Sequence, residues 1–245
     1  MSILISEINK KINSFSNIKE NIRLLRNTEG ITLNILSRNL GINFNKFKEY
    51  EFGDNTPPLD IAVKIADYFG VSLDFFILGT NTNYPHSIRF LKLVEKIDKL
   101  NFNERYKIEG TTSTLIGIDN INNELEIKLD YNNFNLSNDI HSNIKLLRQM
   151  KQFSQKQLAE LLLINQSQIT FYENGKSSPP IDKLIKLSEI FNISIHSLAT
   201  GQRLNFNLEN KGLQNITFKA DQLLSLEHKK FLIDLMQKII DDSSP

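Results

Sequence analysis

The chain has 245 residues, of which 40% are hydrophobic and 23% charged, with 10 glycines, 6 prolines and no cysteine. That length admits one large or two small cored domains, and the composition is that of a helix-leaning globular protein. The missing thiols exclude disulfides, thiolate metal sites, iron–sulfur ligation and a cysteine nucleophile, and the formal charge of +1 argues against a diffuse polybasic binder. The first residues, MSILISEINKKIN, are interrupted by Glu7 and Lys10 and lack the apolar core of a signal peptide. No run approaches membrane-spanning length, so a cytoplasmic protein is expected.

An internal repeat organises the rest. From Asn21 the chain reads NIRLLRNTEGITLNILSRNLGINFNKFKEYEFGDNTPPLDIAVKIADYFGVSLDFFILG, and from Asn143 it reads NIKLLRQMKQFSQKQLAELLLINQSQITFYENGKSSPPIDKLIKLSEIFNISIHSLATG. The two align without a gap at an offset of 122, with roughly a third of positions identical, among them Arg26/Arg148, Tyr50/Tyr172, Glu51/Glu173, Gly53/Gly175 and both Pro-Pro pairs.

Each copy carries the punctuation of about five short helices. Thr32 and Ser154 stand at N-cap positions, Asn43 and Asn165 repeat that role, and Gly53 and Gly175 suit a positive-φ stop. Pro57-Pro58 and Pro179-Pro180 open a fourth helix whose first turn holds Asp60 or Asp182, favourable to the helix dipole. Between the copies, residues 87–117 read as helical and ELEIKLDY from Glu124 as a strand. After the second copy, RLNFNLE and LQNITFK read as a hairpin, followed by a helix from about Leu226 to Ile240.

A capped helix, a short turn and a second capped helix inside a five-helix core describe a helix-turn-helix. Both copies resemble the Cro/cI (XRE-type) repressor domain, the second most closely through SQKQLAELLLINQSQITFYENGKSSPP. The resemblance implies a mainly α fold. It has two five-helix lambda-repressor-like helix-turn-helix domains at residues 18–80 and 140–201, connecting helices and a strand at 81–139, and a β-hairpin plus C-terminal helix at 202–245.

It also implies that the second helix of the motif enters the major groove. The residues that would meet base edges are Gln166, Ser167, Thr170 and Phe171. Their chemistry fits: glutamine pairs with adenine, serine and threonine bond either base type, and phenylalanine contacts a thymine methyl. Gln155 corresponds to a phosphate-contacting glutamine at a helix N-terminus, and Asn174, Lys176 and Ser177 would touch the backbone. Ile169 and Tyr172 read as core, and Phe171 could instead pack on a partner protein. Arg148 with Glu173, and Arg26 with Glu51, match the family's bracing ion pair.

The first copy departs from the pattern. Its groove-facing residues become Phe44, Asn45, Lys48 and Glu49, Leu33 replaces the phosphate glutamine, and Lys46, Lys48 and Asn55 remain plausible contacts. Residues 18–80 carry 7 basic and 8 acidic side chains, whereas residues 143–201 carry 7 and 4, so the second copy is the basic one.

No phosphate-cradling loop or HExxH occurs, and His86, His141, His196 and His228 are dispersed, so no enzyme, metal or cofactor is expected. Two functional readings follow. The first is a transcriptional repressor on a double-stranded DNA operator, either a pseudo-dimer of one chain or, preferred, a homodimer that pairs through its C-terminal segment. It would be relieved by a protein antirepressor or inducer, and phage and phage-satellite repressors resemble this layout. The alternative is a protein-interaction or antitoxin-type module in which the first copy binds protein through Phe44, Phe52 and neighbouring carboxylates.

Overall fold

The computed structural model describes residues 16–79, 86–118, 135–202, 220–221 and 224–243. The strand expected at 124–131 and the hairpin expected at 203–219 lie outside the described residues. Among the described residues no strand forms, and a lone antiparallel bridge joins Val71 to Ser87.

The first unit comprises α1 (Ser16–Thr28), α2 (Leu33–Leu40), α3 (Phe44–Phe52), α4 (Leu59–Phe69) and α5 (Leu73–Leu78). Helices α6 (Ile88–Ile97) and α7 (Phe102–Ile118) follow. The second unit comprises α8 (Ile140–Met150), α9 (Gln155–Leu162), α10 (Gln166–Glu173), α11 (Ile181–Phe191) and α12 (Ile195–Thr200), and α13 spans Leu226–Asp242.

The capping residues act as their types dictate. Thr32 and Ser154 accept from the third helical N–H of α2 and α9, and Asn43 accepts from Asn45 and Lys46. Gly175 has φ +69°, but Gly53 has φ −94°, so the positive-φ reason for a glycine fails at Gly53. A Cβ there would instead meet the Glu49 side chain and stand 2.8 Å from the Glu49 carbonyl oxygen. Glu49 has folded back over the one residue without a side chain.

Helices α1–α5 and α8–α12 share one continuous buried core, from Ile18, Leu36 and Phe47 to Leu158, Ile169 and Leu198. A second core forms where α6, α7 and α13 meet, with Phe90, Val94 and Ile97 against Ile108, Leu232 and Met236. This three-helix module is fastened to the first unit. Ser72 N–H donates to the His86 carbonyl at 2.7 Å and Lys230 Nζ to the Thr28 carbonyl at 3.2 Å, while the Asp221 carboxylate braces the start of α6 by accepting from the backbone N–H of His86 (2.6 Å) and Ser87 (2.9 Å). Lys229 is buried there, its Nζ 3.3 Å from His86 Nδ1 and 5.8 Å from the Phe75 ring centre. Burial pushes the Asp221 carboxyl up and the Lys229 amine down, each opposed by the charge of the other.

Candidate nucleic-acid interface

The local sequence builds α9 and α10 as a rigid pair. Ser154 and Gln157 form a reciprocal capping box, with Gln157 N–H to Ser154 Oγ at 3.1 Å and Ser154 N–H to Gln157 Oε1 at 2.8 Å. Leu163 turns the chain in the left-handed region, φ +54°, and Gln168 Oε1 receives the Asn165 N–H at 3.3 Å where α10 begins. Ile169 and Tyr172 face inward and are buried. Tyr172's hydroxyl is pushed up chiefly by burial, then by the charge of Asp182.

Behind this pair runs one hydrogen-bonded chain. Arg148 grips both Glu173 oxygens, with Nη2 to Oε2 at 3.0 Å, and its Nη1 donates to the Phe153 carbonyl at 2.7 Å. Gln155 Nε2 donates to Glu173 Oε2 at 2.8 Å, and Thr170 Oγ1 donates to Gln155 Oε1 at 3.1 Å. The bracing ion pair thus also sets the rotamers of Gln155 and Thr170. Both are half-buried, and the Thr170 hydroxyl proton is already committed to Gln155.

In front of that chain stand exposed Gln166, Ser167, Phe171, Asn174, Lys176 and Ser177. Phe171 is 43% exposed, and the Lys176 ammonium lies 5.6 Å from its ring centre. A cation, an apolar ring and four amide or hydroxyl groups therefore share one surface at a helix N-terminus and the turn beyond its C-terminus.

The first unit repeats the brace and changes the surface. Arg26 Nη2 donates to Glu51 Oε1 at 2.7 Å and Nη1 to the Ile31 carbonyl at 3.0 Å, each contact displaced by 122 residues from its counterpart. The Glu51 bond raises the Arg26 guanidinium above its usual range. Leu33 cannot extend the network as Gln155 does. Phe44, Asn45, Lys46, Lys48 and Asn55 are exposed, Glu49 lies over Gly53, and Arg23 sits 5.1 Å from the Phe52 ring centre. Where the second unit has Lys176, this one has Asp54, bonded to Lys19 at 2.8 Å and held below the usual carboxylate range by that contact.

Residues outside the expected site join the two units or brace each one internally. Asp74, 1% exposed, accepts from the backbone N–H of Ile195 (2.9 Å) and His196 (3.0 Å) at the start of α12. Asn21 donates to the Phe76 carbonyl at 3.0 Å and Asn143 to the Leu198 carbonyl at 3.0 Å, tying α1 to α5 and α8 to α12. The Asn21/Asn143 identity was a usable signal. Asp74 aligns with His196, and unlike residues at one offset gave none.

Residues 144–198, the second unit, match the helix-turn-helix family model, so the chain carries a helix-turn-helix domain of the XRE type. The chain is also similar to the HTH-type transcriptional activator BcrR of Enterococcus faecalis, 30% identical over 78 residues, which cover 32% of this chain and 38% of that protein. The match therefore spans well under half of the curated relative. No solved structure matches the chain. No helix among the described residues is long and apolar enough to cross a membrane.

Proposed function

We propose that this chain is a cytoplasmic, sequence-specific DNA-binding transcription regulator that acts as a repressor by occluding a promoter. The observation that carries this reading is the exposed row of Gln166, Ser167, Phe171 and Lys176 on a helix-turn-helix whose positions 155 and 170 are fixed from behind by the Arg148–Glu173 pair. The unit's excess of basic over acidic side chains supports the same reading, because phosphate neutralisation supplies much of the affinity for DNA.

The homodimer preferred from sequence rested on a weakly reading first unit and on an apolar surface built by the hairpin, which lies outside the described residues, and by the apolar face of the C-terminal helix. That face is used within the chain, where Leu232, Ile233 and Met236 are buried among α6 and α7. The reading favoured here is one chain that presents two five-helix units as a pseudo-dimer. Control of a phage or mobile-element promoter and relief by a protein antirepressor remain part of the proposal. The alternative, a first unit that binds protein, draws on the exposure of Phe44 (43%) and Phe52 (53%).

The test is a salt-dependent binding screen of the full chain against DNA flanking its own gene. Gln166→Ala and Phe171→Ala should each weaken specific binding by about 1–3 kcal/mol, with helicity unchanged. Unaltered affinity in both variants would refute the assigned reader.

A further inference from the structure

We propose that a single chain reads a non-palindromic operator, with α10 on an A·T-rich half-site and α3 on an unlike half-site containing a G·C pair. The proposal rests on DNA reading by the second unit and adds the order and chemistry of the two halves.

The junction supplies the first argument. Asp74 is the second residue of α5, and it bonds to Ile195 and His196, the first two residues of α12. Position 74 is the repeat equivalent of position 196, so equivalent residues meet each other. That is the mark of an isologous contact, and its pseudo-twofold passes near Asp74 and His196. The continuous core on both sides fixes the two units as one body.

The same contact disfavours pairing between two copies of the second unit. Two such units meeting through α12 would set His196 where Asp74 stands. A carboxylate accepts two N–H groups with its two oxygens, whereas a neutral imidazole offers one acceptor nitrogen. The α12 N–H groups are served by the unlike unit of the same chain and would be underserved by a like one.

The second argument is local charge. The first unit sums to −1, but the surroundings of α3 are cationic, with Lys46, Lys48 and Arg23 exposed. Of the nearby acids, Asp54 is paired with Lys19, and the exposed Glu49 is turned back toward Gly53. Arg23 also lies 5.1 Å from the Phe52 ring centre, which places a further cation beside α3. These observations favour a nucleic-acid backbone over a protein surface.

Side-chain chemistry then assigns the halves. Lys48 suits the O6 and N7 acceptors of guanine and Asn45 suits adenine, while Gln166 suits adenine and Phe171 a thymine methyl. One rigid chain with two unlike readers has a direction on DNA.

Selection of the full chain on a random-sequence duplex library, with light scattering of the complex, tests this. The expected motif has no dyad, a G·C pair in one half only, and one chain per duplex. Lys48→Ala should relax the G·C half alone and lower affinity roughly five- to hundredfold, and Gln166→Ala should relax the other half alone. Duplexes symmetrised with two copies of either half should bind more weakly than the selected sequence. A palindrome bound by two chains would overturn the proposal. So would a single half-site indifferent to Lys48→Ala and Asn45→Ala, an outcome that favours a protein-binding first unit. Selection of no sequence at all would instead defeat the reading of the second unit itself.

Discussion

The two five-helix units hold the same scaffold and present different surfaces. Arg26 with Glu51 and Arg148 with Glu173 make the same bonds, down to the third contact with the carbonyl of residue 31 or 153. Asn21 and Asn143 fasten equivalent helix ends. Beyond that frame the copies diverge at positions that face solvent or another element: Leu33 against Gln155, Asp54 against Lys176, and Asp74 against His196. Among the described residues the module of α6, α7 and α13 is bonded to the first unit, through Lys230 and Thr28. Buried polar pairs resist change because losing either partner strands the other, whereas exposed positions change at little cost to folding.

The largest expected effect tests the shared frame. Arg26→Ala and Arg148→Ala each leave a buried glutamate without its cation, and each should destabilise the fold by about 3–5 kcal/mol in urea unfolding. The two variants should differ in a second readout. Only Arg148→Ala should also weaken DNA binding out of proportion to stability, because Glu173 positions Gln155 and, through it, Thr170. Equal losses of affinity would show that the network is scaffold alone. Next in size is Asp74→Ala, which strips two buried N–H groups at α12 of their acceptor and should cost about 1–3 kcal/mol. His196→Ala, at the equivalent position, leaves every α12 N–H bond in place. Amide exchange at Ile195 and His196 should accelerate in the first variant and not in the second.

These contrasts mark how far the sequence could be read. The five-helix units, their caps and the bracing ion pairs were legible because they rest on local rules and on repetition at one offset. Ile169 and Tyr172 were legible as core from helical spacing, and α13 from its apolar periodicity. Glu49 was not, because its fold-back over Gly53 is a rotamer choice made possible by a glycine that looked like a positive-φ stop. The Asp74 cap and the Asp221–Lys229–His86 cluster were invisible because their partners lie more than 100 residues away and share no pattern. The half-burial of Thr170 was hidden for a related reason, since the partner of its hydroxyl, Gln155, is on another helix. The use of the α13 apolar face within the chain was likewise hidden, because an amphipathic stripe shows that something will cover it without showing what.

A smaller effect separates the turns before α3 and α10. Gly41 and Leu163 occupy the same left-handed position, with φ +66° and +54°, and Leu163 is 78% exposed. A leucine there bears the left-handed penalty of about 1–2 kcal/mol with little packing in return. Leu163→Gly relieves it but adds backbone entropy to the unfolded chain, so the net gain should be under about 1 kcal/mol, while Gly41→Leu should lose a similar amount. Thermal unfolding of the reciprocal pair distinguishes this from a packing role for Leu163, which would make Leu163→Gly destabilising.

The smallest effect on stability bears most directly on which surface meets DNA. Lys176 and Asp54 are equivalent and exposed, one a cation beside the Phe171 ring and the other a carboxylate bound to Lys19. Lys19 holds Asp54 below the usual carboxylate range, so their bond is lost only as pH falls through that lowered value. Neither residue supports the core, so Lys176→Ala and Asp54→Lys should leave unfolding within about 0.5 kcal/mol of the original. On DNA they should act in opposite directions: Lys176→Ala should reduce the slope of log affinity against log salt by about 1, and Asp54→Lys should steepen it by a similar amount. A slope unmoved by Asp54→Lys would place the turn after α3 away from the phosphates. A slope unmoved by both would remove the turns after the recognition helices from the interface and confine contact to the exposed residues of the helices themselves.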